Sequence, residues 1–225
     1  MDNLTLAELD RDGALCDAIE TISGSRADLL RTAAGGAAAF LGLLAVPGRA
    51  IAATATDTEI LNYALTLEYL QAAFYKDAVM MKKLTGKPAR ASRIIGAAEA
   101  AHVDAYRAVL GRKAVKRPRF NFHGTTETQK RFLRTAIALE DLAVAAYKAQ
   151  LPLVTARPVL ATAVSIHSVE ARHAAWMRRL FGVVPARGPF DDAESRESIT
   201  RTIASTGFVA RKPRMVAQAG PRFTG

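Results

Sequence analysis

A ten-residue pattern occurs twice in this chain, and each copy is followed by a Glu-x-x-His pair. Leu67-Glu68-Tyr69-Leu70-Gln71-Ala72-Ala73-Phe74-Tyr75-Lys76 and Leu139-Glu140-Asp141-Leu142-Ala143-Val144-Ala145-Ala146-Tyr147-Lys148 both read L-E-x-L-x-x-A-x-Y-K. Glu99-Ala100-Ala101-His102 aligns in the same way with Glu170-Ala171-Arg172-His173. The offset is 72 residues from Glu68 to Glu140, and 71 from Glu99 to Glu170 and from His102 to His173. An offset this constant predicts a duplicated helical hairpin with a pseudo-twofold axis.

Each repeated acid is surrounded by apolar residues at helical spacing. Leu61, Ala64, Leu65, Ala72 and Tyr75 stand seven, four or three residues from Glu68, and Leu133, Ala136, Ile137, Ala143, Val144 and Tyr147 stand likewise around Glu140. Ile95 precedes Glu99 by one turn, and Ile166 and Ala163 precede Glu170 by one and two. The four acids therefore lie on stripes that should face a core. Burying an ionised carboxylate without a partner costs on the order of several kcal/mol. No Lys or Arg recurs beside all four. The histidines supply the missing chemistry, because residues three apart share one helix face. Glu68, Glu99, His102, Glu140, Glu170 and His173 are thus the candidate ligands of a dinuclear metal site. Four carboxylates and two imidazoles are the donor set of di-iron and di-manganese carboxylate bundles. Four acids balance two divalent cations, and mixed O/N donors favour Fe or Mn, with Zn able to bind in vitro.

Four stretches carry helical periodicity. The first runs from Thr56, with Glu59 in capping-box spacing, to about Leu84. The second spans about Ala89 to Leu110 and stops at Gly111. The third starts near Thr126, with Gln129 in capping-box spacing, and ends near Leu151-Pro152. The fourth runs from Pro158 to Phe181-Gly182. The first and third links are short and suit antiparallel neighbours. The middle one, Gly111 to Thr125, is long enough when extended to return along a whole helix. The expected fold is all-α, a four-helix bundle with one long crossover between the second and third helices. Arg112, Lys113, Lys116, Arg117 and Arg119 in that crossover should face water while Phe120 and Phe122 dock on the bundle.

The 225-residue chain has 31 Lys+Arg, 21 Asp+Glu and one Cys. Half of it is hydrophobic, which excludes disorder as the main state, and a single cysteine excludes a disulfide scaffold. Between Arg31 and Arg49 runs an uncharged, apolar stretch of 17 residues that leads to Ala50-Ile51-Ala52. A basic boundary, a short apolar run and an A-x-A site predict an export signal over residues 1–52, with the mature chain starting near Ala53. Ser25-Arg26-Ala27-Asp28-Leu29-Leu30-Arg31 resembles a twin-arginine signal, with Ala27 in place of the second arginine. Residues 53–225 then hold 27 basic and 14 acidic side chains, a net +13. That charge favours anionic partners, envelope polymers or lipid, and export makes these better candidates than nucleic acid. Residues 191–225 read as a basic C-terminal tail.

Three segments carry a family resemblance: residues 57–70, residues 139–147, and Val169-Glu170-Ala171-Arg172-His173-Ala174-Ala175-Trp176. Together they make roughly residues 56–190, within a bundle expected over residues 53–190, resemble the exported ferritin-like domain family, which includes the desiccation-related proteins. The resemblance implies a ferritin-like bundle, metal at the six residues named above, and a link to oxidative or desiccation stress. It does not fix a reaction. Three readings stand: an envelope oxidoreductase whose Fe or Mn pair meets O2 or peroxide, a non-catalytic metal-binding stress protein, and an envelope-coating protein that uses its positive charge. Tyr75 and Tyr147, two turns beyond Glu68 and Glu140, read as core tyrosines within electron-transfer range of the site. His167, one turn before Glu170, reads as a core-edge residue near it.

Overall fold

The computed structural model describes residues 54–210. The expected leader and its cleavage point lie outside the described residues, as do residues 211–225. Four long helices form the bundle: α1 (Ala55–Met81), α2 (Gly86–Leu110), α3 (Gln129–Gln150) and α4 (Arg157–Phe181). The all-α expectation holds, and the pairings α1 with α2 and α3 with α4 are the two halves of the duplication.

Helix directions follow from which ends meet. Residues 82–85 turn α1 back into α2, with Lys82 at φ 53 in the left-handed region. Phe74, late in α1, stacks on Phe132, early in α3, with ring centroids 5.4 Å apart. Asp57, early in α1, meets Thr155, just before α4. Helices α1 and α3 are therefore antiparallel, and α2 and α3 run the same way. Only a connection that travels the length of the bundle allows this. The crossover starts with a short 3-10 turn (Gly111–Lys113). Asn62 holds its beginning, donating to the Lys113 carbonyl at 3.0 Å and accepting from the Val115 N–H at 2.8 Å. Thr126 ends it, donating to Asp77 at 2.5 Å. Asn62 to Asp77 is about 22 Å along α1. The five basic residues of the crossover are exposed, Phe122 is buried and Phe120 is half-buried, as expected.

Two helix starts differ from the expectation. Helix α1 is capped by Thr54 rather than Thr56: Thr54 Oγ1 accepts from the Asp57 N–H, and Asp57 accepts from the Thr54 N–H. Helix α3 is capped by Thr128, not Thr126. In both places a tertiary contact lies behind the shift. Glu59 is exposed, while Asp57 is buried and also binds Thr155 and Ala156, and Thr126 is spent on Asp77.

Residues read as a basic tail are partly built into the fold. A fifth helix, α5 (Arg196–Thr206), is capped by Ser195. Its Ile199 is buried among Leu67, Ala146 and Leu142, and the Arg196 guanidinium lies 4.8 Å from the Tyr63 ring centre. Beyond it, Phe208 is buried against Phe122, and Phe120 and Val209 make an antiparallel bridge. Ile199 and Phe208, helped by a half-buried Ile203, anchor a segment that is otherwise mostly polar.

The apolar core divides into two layers. Around Phe74, Phe132, Ile95 and Met177 lies one; around Leu61, Leu65, Tyr106 and Val159 lies the other. Gly96 lets α2 press close to α1, since a Cβ there would sit 2.9 Å from Tyr75 Cβ.

Asp57 ties the start of α1 to the start of α4 by accepting from Thr155 N–H (2.8 Å), Thr155 Oγ1 (2.9 Å) and Ala156 N–H (3.2 Å). Burial raises its pKa, but the hydrogen bonds from Thr155 and Thr54 outweigh that and hold it below the ordinary carboxylate value. Its stabilisation is therefore present above the unfolded pKa of about 4 and lost as pH falls through the depressed folded value. Asp57→Asn should cost about 1–3 kcal/mol in urea unfolding at pH 7. The gap to the unsubstituted chain should narrow below about pH 4.

Candidate metal centre

The six residues singled out by the repeat converge between the two apolar layers. Glu68 comes from α1, Glu99 and His102 from α2, Glu140 from α3, and Glu170 and His173 from α4. All four carboxylates are 0 % exposed, and His102 and His173 are 9 % and 6 % exposed. Two overlapping groups of potential ligand atoms result, each with all its atoms within 4.8 Å of one another: Glu68, Glu99, His102 and Glu170, and Glu99, Glu140, Glu170 and His173. Glu99 and Glu170 belong to both. The groups exchange under the pseudo-twofold, which swaps Glu68 with Glu140, Glu99 with Glu170 and His102 with His173.

The imidazoles turn Nδ1 toward the carboxylates. His102 Nδ1 lies 3.2 Å from Glu68, 3.4 Å from Glu99 and 3.1 Å from Glu170. His173 Nδ1 lies 2.9 Å from Glu99 and 3.8 Å from Glu140. Yet both oxygens of Glu99, Oε1 of Glu170 and Nδ1 of His173 make no aligned hydrogen bond. These atoms crowd a common space without pointing at one another, which is the geometry of donors around a shared centre. Among the described residues no Lys or Arg pairs with any of the four acids. Orphaned buried oxygens, two inward nitrogens and the absence of a Lys or Arg partner fit a metal ion.

Titration in the metal-free cluster is lopsided. Burial, and then the neighbouring Glu170, pushes the carboxyls of Glu99 and Glu140 well above the ordinary range. For His102 burial opposes protonation, but Glu68, Glu170 and Glu99 overcome it and raise the imidazole well above 6.5. His173 is pushed down to about 4 by burial, with His102 and Arg172 adding to the effect. The two rings are 6.2 Å apart and close to parallel, so a charge on one disfavours a charge on the other. Burial and the crowding of carboxylates thus favour proton uptake by the metal-free cluster, which an entering metal would oppose.

Three side chains that hold the site were not among the candidate ligands. Tyr147 donates to Glu68 Oε1 at 2.5 Å, and Tyr75 donates to Glu140 Oε1. Each tyrosine thus reaches the acid of the other repeat, not its own. The antiparallel register of α1 and α3 places Tyr147 level with Glu68 and Tyr75 level with Glu140. Distance counted along one helix hides this, although the equal seven-residue spacing in both repeats carries the signal. Tyr106 backs Tyr147, with the two hydroxyls 2.7 Å apart. Gln71 donates from Nε2 to Glu140 Oε2 and Glu170 Oε2, each at 3.0 Å. His167 is in neither ligand group; its ring packs on Tyr147 with centroids 6.0 Å apart. Asp141, next to Glu140 in sequence, pairs with Arg178 instead of joining the cluster.

An ion that binds the folded cluster and not the unfolded chain raises stability by mass action. With Mn2+ at about 100 times its dissociation constant, the melting temperature should rise by about 5–10 °C over the same sample in chelator. Glu170→Ala should abolish most of that rise. Equal melting temperatures with Mn2+ and with chelator would show that the cluster holds no ion.

Comparison with known families agrees with this geometry. Residues 56–183 match the family model described as ferritin-like domain. No curated protein matches the chain.

Proposed function

We propose, since the chain belongs to the ferritin-like domain family, that its bundle holds two Fe or Mn ions at Glu68, Glu99, His102, Glu140, Glu170 and His173. We propose further that the exported protein uses them on O2 or peroxide in protection against oxidative or desiccation stress. The observation that carries the two-ion reading is the sharing of Glu99 and Glu170 between two complete ligand groups. A single ion would use one group and leave either Glu68 with His102 or Glu140 with His173 without an ion.

Such a pair, when bound, supplies a change of oxidation state to O2 or peroxide. The chain's own residues prepare the place. Glu99 and Glu170 present oxygens to both positions, and His102 and His173 bring one nitrogen to each. Tyr75 and Tyr147 restrain the outer carboxylates through their hydroxyls. The apolar layers above and below limit water, which strengthens every charge interaction between them. Export rests on the apolar run and A-x-A site of residues 1–52. Attraction to anionic envelope polymers or lipid rests on the net +13 of residues 53–225 and the exposed basic crossover.

One observation favours a second, non-catalytic reading. All four acids are fully buried, and the outer two are capped by tyrosines, as suits ions that staple the bundle. Turnover separates the two. Fe(II) oxidation, or peroxide breakdown by the Mn-loaded chain, should exceed that of the free metal and be lost in both Glu99→Ala and Glu170→Ala. Turnover equal to free metal would leave the structural reading.

A further inference from the structure

Gln71 is the place where the duplication breaks down inside the metal centre. It stands three residues after Glu68, the same spacing as in the two Glu-x-x-His pairs, so it shares the face of its acid. It is 2 % exposed. Its counterpart in the second repeat is Ala143, which is buried and has no polar side-chain atom. The pseudo-twofold therefore relates the six ligand residues but not their support.

We propose that Gln71 is a positioning residue that makes the two metal positions unequal, so that the ion held by Glu140 and His173 binds first and more tightly. The inference rests on the two-ion reading above. One amide nitrogen, from α1, donates to carboxylates on α3 and α4. Both acceptors belong to the Glu140–His173 group, whereas the Glu68–His102 group contains only Glu170. Left alone, two neighbouring carboxylates repel each other, and ordering them for a metal is a cost of binding. An uncharged double donor holds them at a fixed spacing beforehand. It adds no cation that would compete with the metal. The amide's own Oε1 has no hydrogen-bond partner, so these two carboxylates are what Gln71 binds through its head group. The tyrosines that touch the ligands are matched, Tyr75 on Glu140 and Tyr147 on Glu68, and Tyr106, whose counterpart is Met177, bonds the Tyr147 hydroxyl rather than a ligand carboxylate. Among the groups bonded directly to the ligand carboxylates, the difference is Gln71 on one side and Ala143 on the other.

The test is titration of the metal-free full chain with Co2+, followed by calorimetry and by the visible absorption of the bound ion. Two steps of different affinity are expected. Gln71→Met keeps the length of the side chain and removes the donors. It should weaken the tighter step by about 10–100-fold, the usual effect of losing a group that orients a ligand. It should also alter the absorption bands of the first equivalent, a change that a purely structural role would not produce. Independently of Gln71, His173→Ala should remove the tighter step and His102→Ala the weaker one. Two equal steps, a tighter step untouched by Gln71→Met, or a tighter step lost with His102 rather than His173 would overturn the inference while leaving the two-ion reading intact. No Co2+ binding would overturn that reading itself.

Discussion

Four carboxylates lie together in the middle of an apolar bundle, and the rest of the structure is arranged around the cost of keeping them there. Each is fully buried. In the metal-free cluster, donors from Tyr75, Tyr147 and Gln71 offset part of that cost. Those arrangements are partial, since both oxygens of Glu99 remain without an aligned donor. Divalent cations would resolve what those donors leave open, because a metal accepts several oxygens at once and carries the charge to balance them.

The fold serves this centre through its directions. The crossover makes α2 and α3 parallel and α1 and α3 antiparallel, with Asn62 and Thr126 fixing its ends. Antiparallel register then aims each tyrosine at the acid of the opposite repeat. Had the third helix run the other way, Tyr75 and Tyr147 would lie far from any ligand. The duplication and the crossover are thus one device: the first provides two matching sets of ligand residues, and the second turns them to face each other. Two apolar layers, one built on Phe74 and Phe132 and the other on Leu61 and Tyr106, hold the half-sites in register.

The six converging residues were legible in the sequence because duplication repeats a signal that one Glu-x-x-His pair carries only weakly. Gln71 was not, since it breaks the repeat, although a polar residue one turn from Glu68 on an apolar stripe is itself a mark. The tyrosine contacts are properties of a helix pair, and spacing along either helix alone does not disclose them. Capping residues were displaced by two positions at α1 and α3 where a nearby Thr or Asp had a tertiary partner. Helix α5 escaped because its burial rests mainly on Ile199, within a segment whose charge reads as a tail.

The central claim is that two ions share Glu99 and Glu170. Anomalous X-ray scattering from crystals of the Mn2+-loaded chain tests it most directly. The account predicts two peaks about 3.5–4 Å apart, lying between Glu99 and Glu170, one beside His102 and the other beside His173. A single peak, or none among these residues, would contradict it.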